Sequence, residues 1–264
     1  MSLAGQCYYT ACRTRLGHAL ARRILRTVRH TGAWNRFHPP LDALRLNHQA
    51  VSGLMNLWRR IHWSSGDGMM PPAQLLAMYE LAVSGDVVGD VVELGAWVGL
   101  TTSYLAAACD VRGGGTVYAV DTFQGTREGG TTYASIGHHG GSTLPTFERQ
   151  ILRAGVGHRV KPLMGLTTEM AKIYPGRPVR LLIIDADHSF EGVKTDFDVW
   201  WPHVAPGGVI VFHDYLMPDV ARFVDTVLAD APRVVTRPGL IEKNIYAVTK
   251  CGRGRGEQSR LTTS

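Results

Sequence analysis

From residue 86 onward, short continuous apolar runs alternate with helix-length segments, and a polar residue closes nearly every run. The runs at 91–94, 116–121, 160–164, 179–185 and 209–213 read as strands. Helices are expected over 100–109, around Leu144, Phe147 and Ile151, over 190–201, and along the stripe Val220, Phe223, Val224, Val227 and Leu228. Apolar strands separated by helices require a parallel sheet covered on both faces. Two short strands, near Val234 and Val235 and over 245–248, are joined by too few residues for a crossover helix, so they form an antiparallel edge hairpin. The expected fold is α/β: a doubly wound, mostly parallel, seven-stranded sheet with that hairpin at its edge.

Ahead of this pattern, Leu16, Leu20, Ile24 and Val28 recur every fourth residue among arginines, a basic amphipathic helix over 13–29. It either packs on the body or on a second subunit, meets an anionic membrane surface, or serves as a targeting peptide. Residues 31–70 read as irregular and aromatic-rich (Trp34, Phe37, Trp58, Trp63). Pro71 and Pro72 then open a helix with Leu75, Met78, Tyr79 and Ala82 on one face, proline suiting a first turn. The expected organisation is an arm at 1–65 that helps cover the site, a catalytic body at 66–250, and a disordered tail at 251–264.

The net charge of +6 raises the question of nucleic acid. Residues 1–41 hold seven arginines and no acid, and 250–264 carry +3, which leaves 42–249 at −4. The basicity belongs to the ends, and the body is expected to take a small molecule. Cys7, Cys12, Cys109 and Cys251 are too few and scattered for a disulfide framework or a four-cysteine zinc site, so reduced thiols and a cytoplasmic location are expected. No apolar run reaches the roughly 20 residues of a membrane span.

Ligands of doubly wound sheets sit beyond the carboxyl ends of the strands. There the sequence places Glu93, Asp121, Asp185 with Asp187 and His188, and His213 with Asp214. Acids lose hydration on burial and are not put after successive apolar strands for stability alone. Gly95 and Gly99 bracket the turn after the first strand, Gly95 for close backbone approach and Gly99 to let the next helix sit on the sheet. Asp121 stands where an acid accepts both hydroxyls of a ribose. A dinucleotide site favours glycine where Trp97 stands, and Glu93 would repel a diphosphate. Both suit a cofactor bearing an ammonium and a sulfonium, S-adenosylmethionine. Asp185, His213 and Asp214 end neighbouring strands and form a ligand set suited to Mg²⁺ or another divalent cation, or else a polar cluster touching only cofactor and substrate. Asp187 or His188 is positioned to take a proton from an acceptor, although His188 could instead cap the helix near Phe190. The Gly/Thr-rich stretch 124–143, with Tyr133, His138 and His139, is expected to overhang the cofactor. Met69 and Met70 either shield the methyl group or pack.

These motifs resemble a family. Glu-x-Gly-x-x-x-Gly at 93–99, Val-Asp-Thr-Phe at 120–123, Ile-Asp-Ala-Asp-His-Ser-Phe-Glu-Gly-Val at 184–193 and Pro-Gly-Gly-Val-Ile-Val-Phe-His-Asp at 206–214 are similar to class I S-adenosylmethionine-dependent methyltransferases. The nearest branch is the methyltransferase 24 group with the macrocin-type O-methyltransferases. The resemblance implies a Rossmann-like methyltransferase fold, with Glu93 and Gly95 at the methionine end, Asp121 at the ribose and Gly165, Leu166 and Thr167 beside the adenine. Ala96, Trp97, Thr101, Thr122, Phe123 and Asp185 complete the expected cofactor set. It further implies methylation of a hydroxyl on a sugar or other small metabolite, with His213 standing where that branch often carries an acid. A nicotinamide oxidoreductase, an RNA or N-methyltransferase using the basic arm, a non-catalytic binding module, a membrane-peripheral enzyme and a homo-oligomer remain open.

Overall fold

The computed structural model describes residues 46, 48–61, 68–125, 136–228, 235–242 and 244–251. The expected arm helix over 13–29, Trp34, Phe37, Trp63, Tyr133 and the tail beyond 251 lie outside them. The described residues belong to a compact unit that begins at Leu46.

A helix, α1 (His48–Arg60), lies inside the stretch expected to be irregular. Leu46, Ala50, Leu54, Leu57 and Ile61 are spaced four, four, three and four apart, which is a helical stripe, and all are buried. Its last turn is anchored by Arg60, whose guanidinium donates to the carbonyl of Ala154 at 3.2 Å. Next comes α2 (Pro72–Val83), with proline in its first turn and the expected Leu75, Met78, Tyr79 and Ala82 fully buried.

The βα alternation then runs as β1 (Asp90–Leu94), α3 (Leu100–Arg112), β2 (Val117–Asp121), α4 (Leu144–Ala154), β3 (Val160–Met164), α5 (Thr167–Ile173), β4 (Val179–Ile184), α6 (Phe190–Trp200) and β5 (Val204–His213). It ends with α7 (Pro218–Phe223), a π turn at Val224–Leu228, β6 (Val235–Glu242) and β7 (Ile245–Lys250). The sheet has seven strands in the order β3-β2-β1-β4-β5-β7-β6. β1 to β5 are parallel, and β7 is antiparallel to both β5 and β6. The chain therefore reverses its direction of travel across the sheet between β1 and β4, which places a switch point between their carboxyl ends.

Because side chains alternate along a strand, Val92, Leu94, Leu182, Ile184, Ile210 and Phe212 pack on one face against Val193, Phe197, Trp200, Val220 and Phe223 of α6 and α7. Trp200 is fully buried in this core. The opposite face is covered by α3, on which α1 and α2 pack in turn. β5 begins five residues earlier than expected, because the strand continues through Pro206–Gly207–Gly208 across a register shift opposite β4. Helix α5 was not foreseen. Only Ala171 of its seven residues is buried, so no amphipathic stripe announces it.

Candidate functional site

At the carboxyl ends of the strands opens a cavity of about 1580 Å³. Four non-glycine residues among those described have positive φ: Trp97 after β1, Phe123 after β2, Asp214 after β5 and Asn244 between β6 and β7. All four lie in connections at this end of the sheet. Backbone strain of this kind gathers where function requires it.

The turn after β1 is set by Gly95, with φ +91°, where a Cβ would come 2.1 Å from the carbonyl oxygen of Asp185. The close approach expected of this glycine is thus made to the end of β4. A Cβ on Gly99 would meet the Phe147 ring of α4 at 2.7 Å, so this glycine admits a neighbouring helix, not the sheet. Gly95, Ala96, Trp97 and Thr101 line the cavity. The Thr101 hydroxyl points to the sulfur of buried Met70, whereas Met69 is exposed, and both methionines border the cavity.

Asp121 ends β2 with its carboxylate spanning two turns. Oδ2 accepts from the Trp97 N–H and Oδ1 from the Phe123 N–H, each at 2.7 Å. Burial raises its pKa, and the backbone donors work against that rise. The Ala96 N–H adds a third backbone donor, and the roughly four acceptor sites of a carboxylate leave room for one more. Thr122 lines the cavity beside it, but Phe123 does not. Its left-handed backbone turns the ring into the core against Phe147, at 5.1 Å, so the expected cofactor contact by Phe123 is corrected to a packing role.

Glu93 is also corrected. The strand ends at Leu94, as expected, and with Val92 and Leu94 facing α6, alternation turns Glu93 toward α3. There it is 2 % exposed, is absent from the cavity wall, and accepts the Thr102 hydroxyl proton at 2.5 Å. Burial pushes its carboxyl well above the usual range. Gly165, Leu166 and Thr167 line the cavity after β3, as does Asp185 after β4.

Asp185, Asp187, His188, His213 and Asp214 converge at the other end of the cavity. The buried His213 is held on both ring nitrogens, Nδ1 at 2.9 Å from Asp185 Oδ1 and Nε2 at 2.8 Å from Gln74 Oε1. The expected ligand set is therefore corrected: the group able to hold a cation is Asp185, His188 and Asp214, whose donor atoms lie within 4.8 Å of one another. His188 Nε2 lies 3.2 Å from Asp214 Oδ2 and 3.5 Å from Asp185 Oδ1, is buried, and makes no hydrogen bond of proper geometry. Facing those two carboxylates, its pKa rises to about 10. Burial lowers the pKa of His213, but Asp185 outweighs it and lifts the value to about 10. Both carboxylates shift the opposite way: burial raises them, and the two imidazoles more than offset it.

Asp187 Oδ1 accepts the Ser189 N–H at 2.8 Å, and Ser189 Oγ caps α6 by accepting from the Gly192 N–H. His188 is thus not the cap. Glu191 sits in the first turn of α6. His138 and His139 form a short 3₁₀ turn that stays off the cavity wall, and the His139 ring meets Trp97 edge-on at 5.6 Å.

Two participants escaped sequence reasoning. Gln74 is, with Glu80, one of two polar side chains buried in the largely apolar α2, and a polar residue in the first turn of such a helix was its signal. Asn244 stands in the hairpin turn at φ +77° and donates to Asp214 Oδ1 at 2.5 Å, with a left-handed asparagine between two strands as the available cue.

The fold is the Rossmann-like fold of the class I S-adenosylmethionine-dependent methyltransferases, which this chain resembles. Residues 92–215 match the family model described as Methyltransferase domain, the methyltransferase 24 group. Among curated relatives, an uncharacterized protein of Sinorhizobium fredii is 31 % identical over 127 residues, 47 % of this chain and 13 % of that protein. An uncharacterized protein of Acanthamoeba polyphaga mimivirus is 38 % identical over 56 residues, 20 % of this chain and 25 % of that protein. The chain thus spans a small part of these relatives. The O-methyltransferase NovP superposes with a TM-score of 0.56 at 20 % identity, covering 72 % of this chain and 84 % of its own. TomG of Streptomyces achromogenes, an O-methyltransferase of tomaymycin synthesis solved with S-adenosylmethionine, gives 0.52 at 17 % identity, with 84 % and 98 % covered. At these identities the likeness is one of fold. No helix among the described residues is long and apolar enough to cross a membrane.

Proposed function

We propose that this chain transfers the methyl group of S-adenosylmethionine to a hydroxyl of a small acceptor, of the sugar or glycosylated-metabolite class. The observation that carries the reading is a single cavity joining the Gly95–Asp121–Thr167 wall to the Asp185–His188–Asp214 cluster. Its volume of about 1580 Å³ exceeds the ~300–1,000 Å³ of an ordinary ligand site, which leaves room for cofactor and acceptor together. The O-methyltransferase activity of NovP and TomG supports the same assignment.

The cofactor is read as lying across the switch point. Its methionine end meets the backbone of Gly95, Ala96 and Trp97, its ribose hydroxyls donate to Asp121, and its purine lies beside Gly165, Leu166 and Thr167. In the transfer, an O–C bond forms as the C–S bond breaks, the electron pair passes to sulfur, and the hydroxyl proton goes to a base. Asp187 is the candidate base, its carboxylate oriented by the Ser189 N–H. Asp185 and Asp214 raise the His188 pKa to about 10, and His188 would give up that proton only to a bound cation, so it is assigned to the cluster and not to the base.

Two carboxylates and an imidazole suit a divalent cation, and the buried His188 Nε2, aimed at both acids without a hydrogen bond, fits a ligand atom. A cation there would orient the acceptor hydroxyl and lower its pKa. Asn244 and His213, one on each acid, would hold the carboxylates in place.

The test is incubation with labelled S-adenosylmethionine and a panel of hydroxylated sugars, glycosides and phenols, with and without chelator. The reading expects an O-methyl product whose yield falls on chelation and returns with Mg²⁺. Label found only on nitrogen, or only on RNA, would overturn it.

A further inference from the structure

The cavity wall carries a further polar pair that is not part of the Asp185–His188–Asp214 group. There the Thr167 hydroxyl, at the start of α5, donates to Asp196 Oδ1 on α6. Asp196 is only 3 % exposed, forms part of the cavity wall, and its other oxygen has no hydrogen-bond partner. A buried carboxyl with an unmatched oxygen is unusual, and nothing in the methyl transfer uses it. The same helix also fixes the Thr167 backbone, whose carbonyl accepts from Trp200 Nε1 at 3.2 Å.

A threonine hydroxyl has one proton and two lone pairs. With its proton committed to Asp196, Thr167 can offer the cavity only an acceptor. We infer that Asp196, acting through Thr167, makes this end of the cavity select a purine with an exocyclic amino group, adenine, over a 6-oxo purine. The inference deepens, and rests on, the reading that S-adenosylmethionine places its purine beside 165–167. The amino group of adenine donates to the waiting lone pair. A carbonyl at the same position would face it and leave two buried acceptors opposed, the arrangement by which sites reject close analogues. Asp196 is here a positioning residue. Burial raises its pKa to about 6, the Thr167 hydrogen bond opposing the rise and the facing Asp187 carboxylate adding to it, so Asp196 is largely ionised at pH 7.5 and holds the Thr167 proton there.

The test is the ratio of calorimetric dissociation constants for S-adenosylhomocysteine and S-inosylhomocysteine on the full chain. Wild type should favour the adenosyl ligand by about tenfold or more at pH 7.5, and Thr167→Ser should keep that ratio. Thr167→Val and Asp196→Asn should each bring it to within about threefold. Should either of these fail to fold, wild type alone suffices: its ratio should shrink between pH 7.5 and 5, as Asp196 takes up a proton and frees that of Thr167. A purely structural Asp196 would weaken both ligands alike and leave the ratio in place. A wild-type ratio near one, a ratio unmoved by Thr167→Val or Asp196→Asn, or one constant with pH would overturn the inference while S-adenosylhomocysteine still binds. If wild type binds neither ligand, the cofactor reading itself fails, and the inference falls with it.

Discussion

Gly95 and Asp185 meet backbone to backbone across the switch point: a side chain on the glycine would come 2.1 Å from the carbonyl oxygen of the aspartate. The contact ties the cofactor turn after β1 to the strand end that carries the acid cluster. Gly95→Ala must both adopt φ +91° and push β4 aside. It should lose about 2 kcal/mol or more of stability in denaturant unfolding, together with S-adenosylhomocysteine binding. A variant as stable as wild type would show that the two strand ends are not in contact.

The Glu93–Thr102 pair predicts a coupling. Glu93→Ala deprives a buried hydroxyl of its acceptor and should cost about 1–3 kcal/mol. Thr102→Val in the same chain should recover part of that loss, because the unmatched hydroxyl is then gone. Strictly additive losses in a double-mutant cycle would contradict the burial of Glu93 against α3.

Asp196 supplies a pH dependence. Its folded pKa of about 6 lies above its ordinary value of 3.8, so the folded state holds the proton more tightly than the unfolded one. The penalty for ionising it is complete above pH 6 and is relieved as the pH falls toward 3.8. The stability of wild type relative to Asp196→Asn should therefore rise as the pH is lowered from 7.5 to 4.5, followed by urea unfolding at each pH. A difference independent of pH would refute the assignment.

How much of this was legible beforehand depended on how local the cause was. The order of strands and helices, the antiparallel edge and the strand-end positions of Asp121, Asp185 and Asp214 follow from apolar runs and their punctuation, which are local. Glu93 and Phe123 were misread because a run of apolar residues does not show which way each side chain faces: alternation within β1 turns Glu93 off the site, and a left-handed backbone rotates Phe123 into the core. The exchange of His213 for His188 as the imidazole of the candidate ligand group depends on Gln74, 139 residues away in sequence, which spacing cannot reveal. Helix α5 was invisible for want of an apolar face.

The cation site makes its own prediction. Mn²⁺ binding, read by paramagnetic resonance on the isolated chain, should show one site at neutral pH. Asp214→Asn and His188→Ala should each weaken it by about tenfold or more, while His213→Asn should have a smaller effect because that imidazole supports Asp185 from behind. Equal loss in all three, or no binding by wild type, would remove the cation from the mechanism.

The most direct measurement is a crystal structure of the chain with S-adenosylhomocysteine. The account predicts the homocysteine against the Gly95–Trp97 backbone, the ribose hydroxyls on Asp121 and the purine next to Thr167. Density for the ligand anywhere else, or the same cavity left unfilled at saturating ligand, would contradict it.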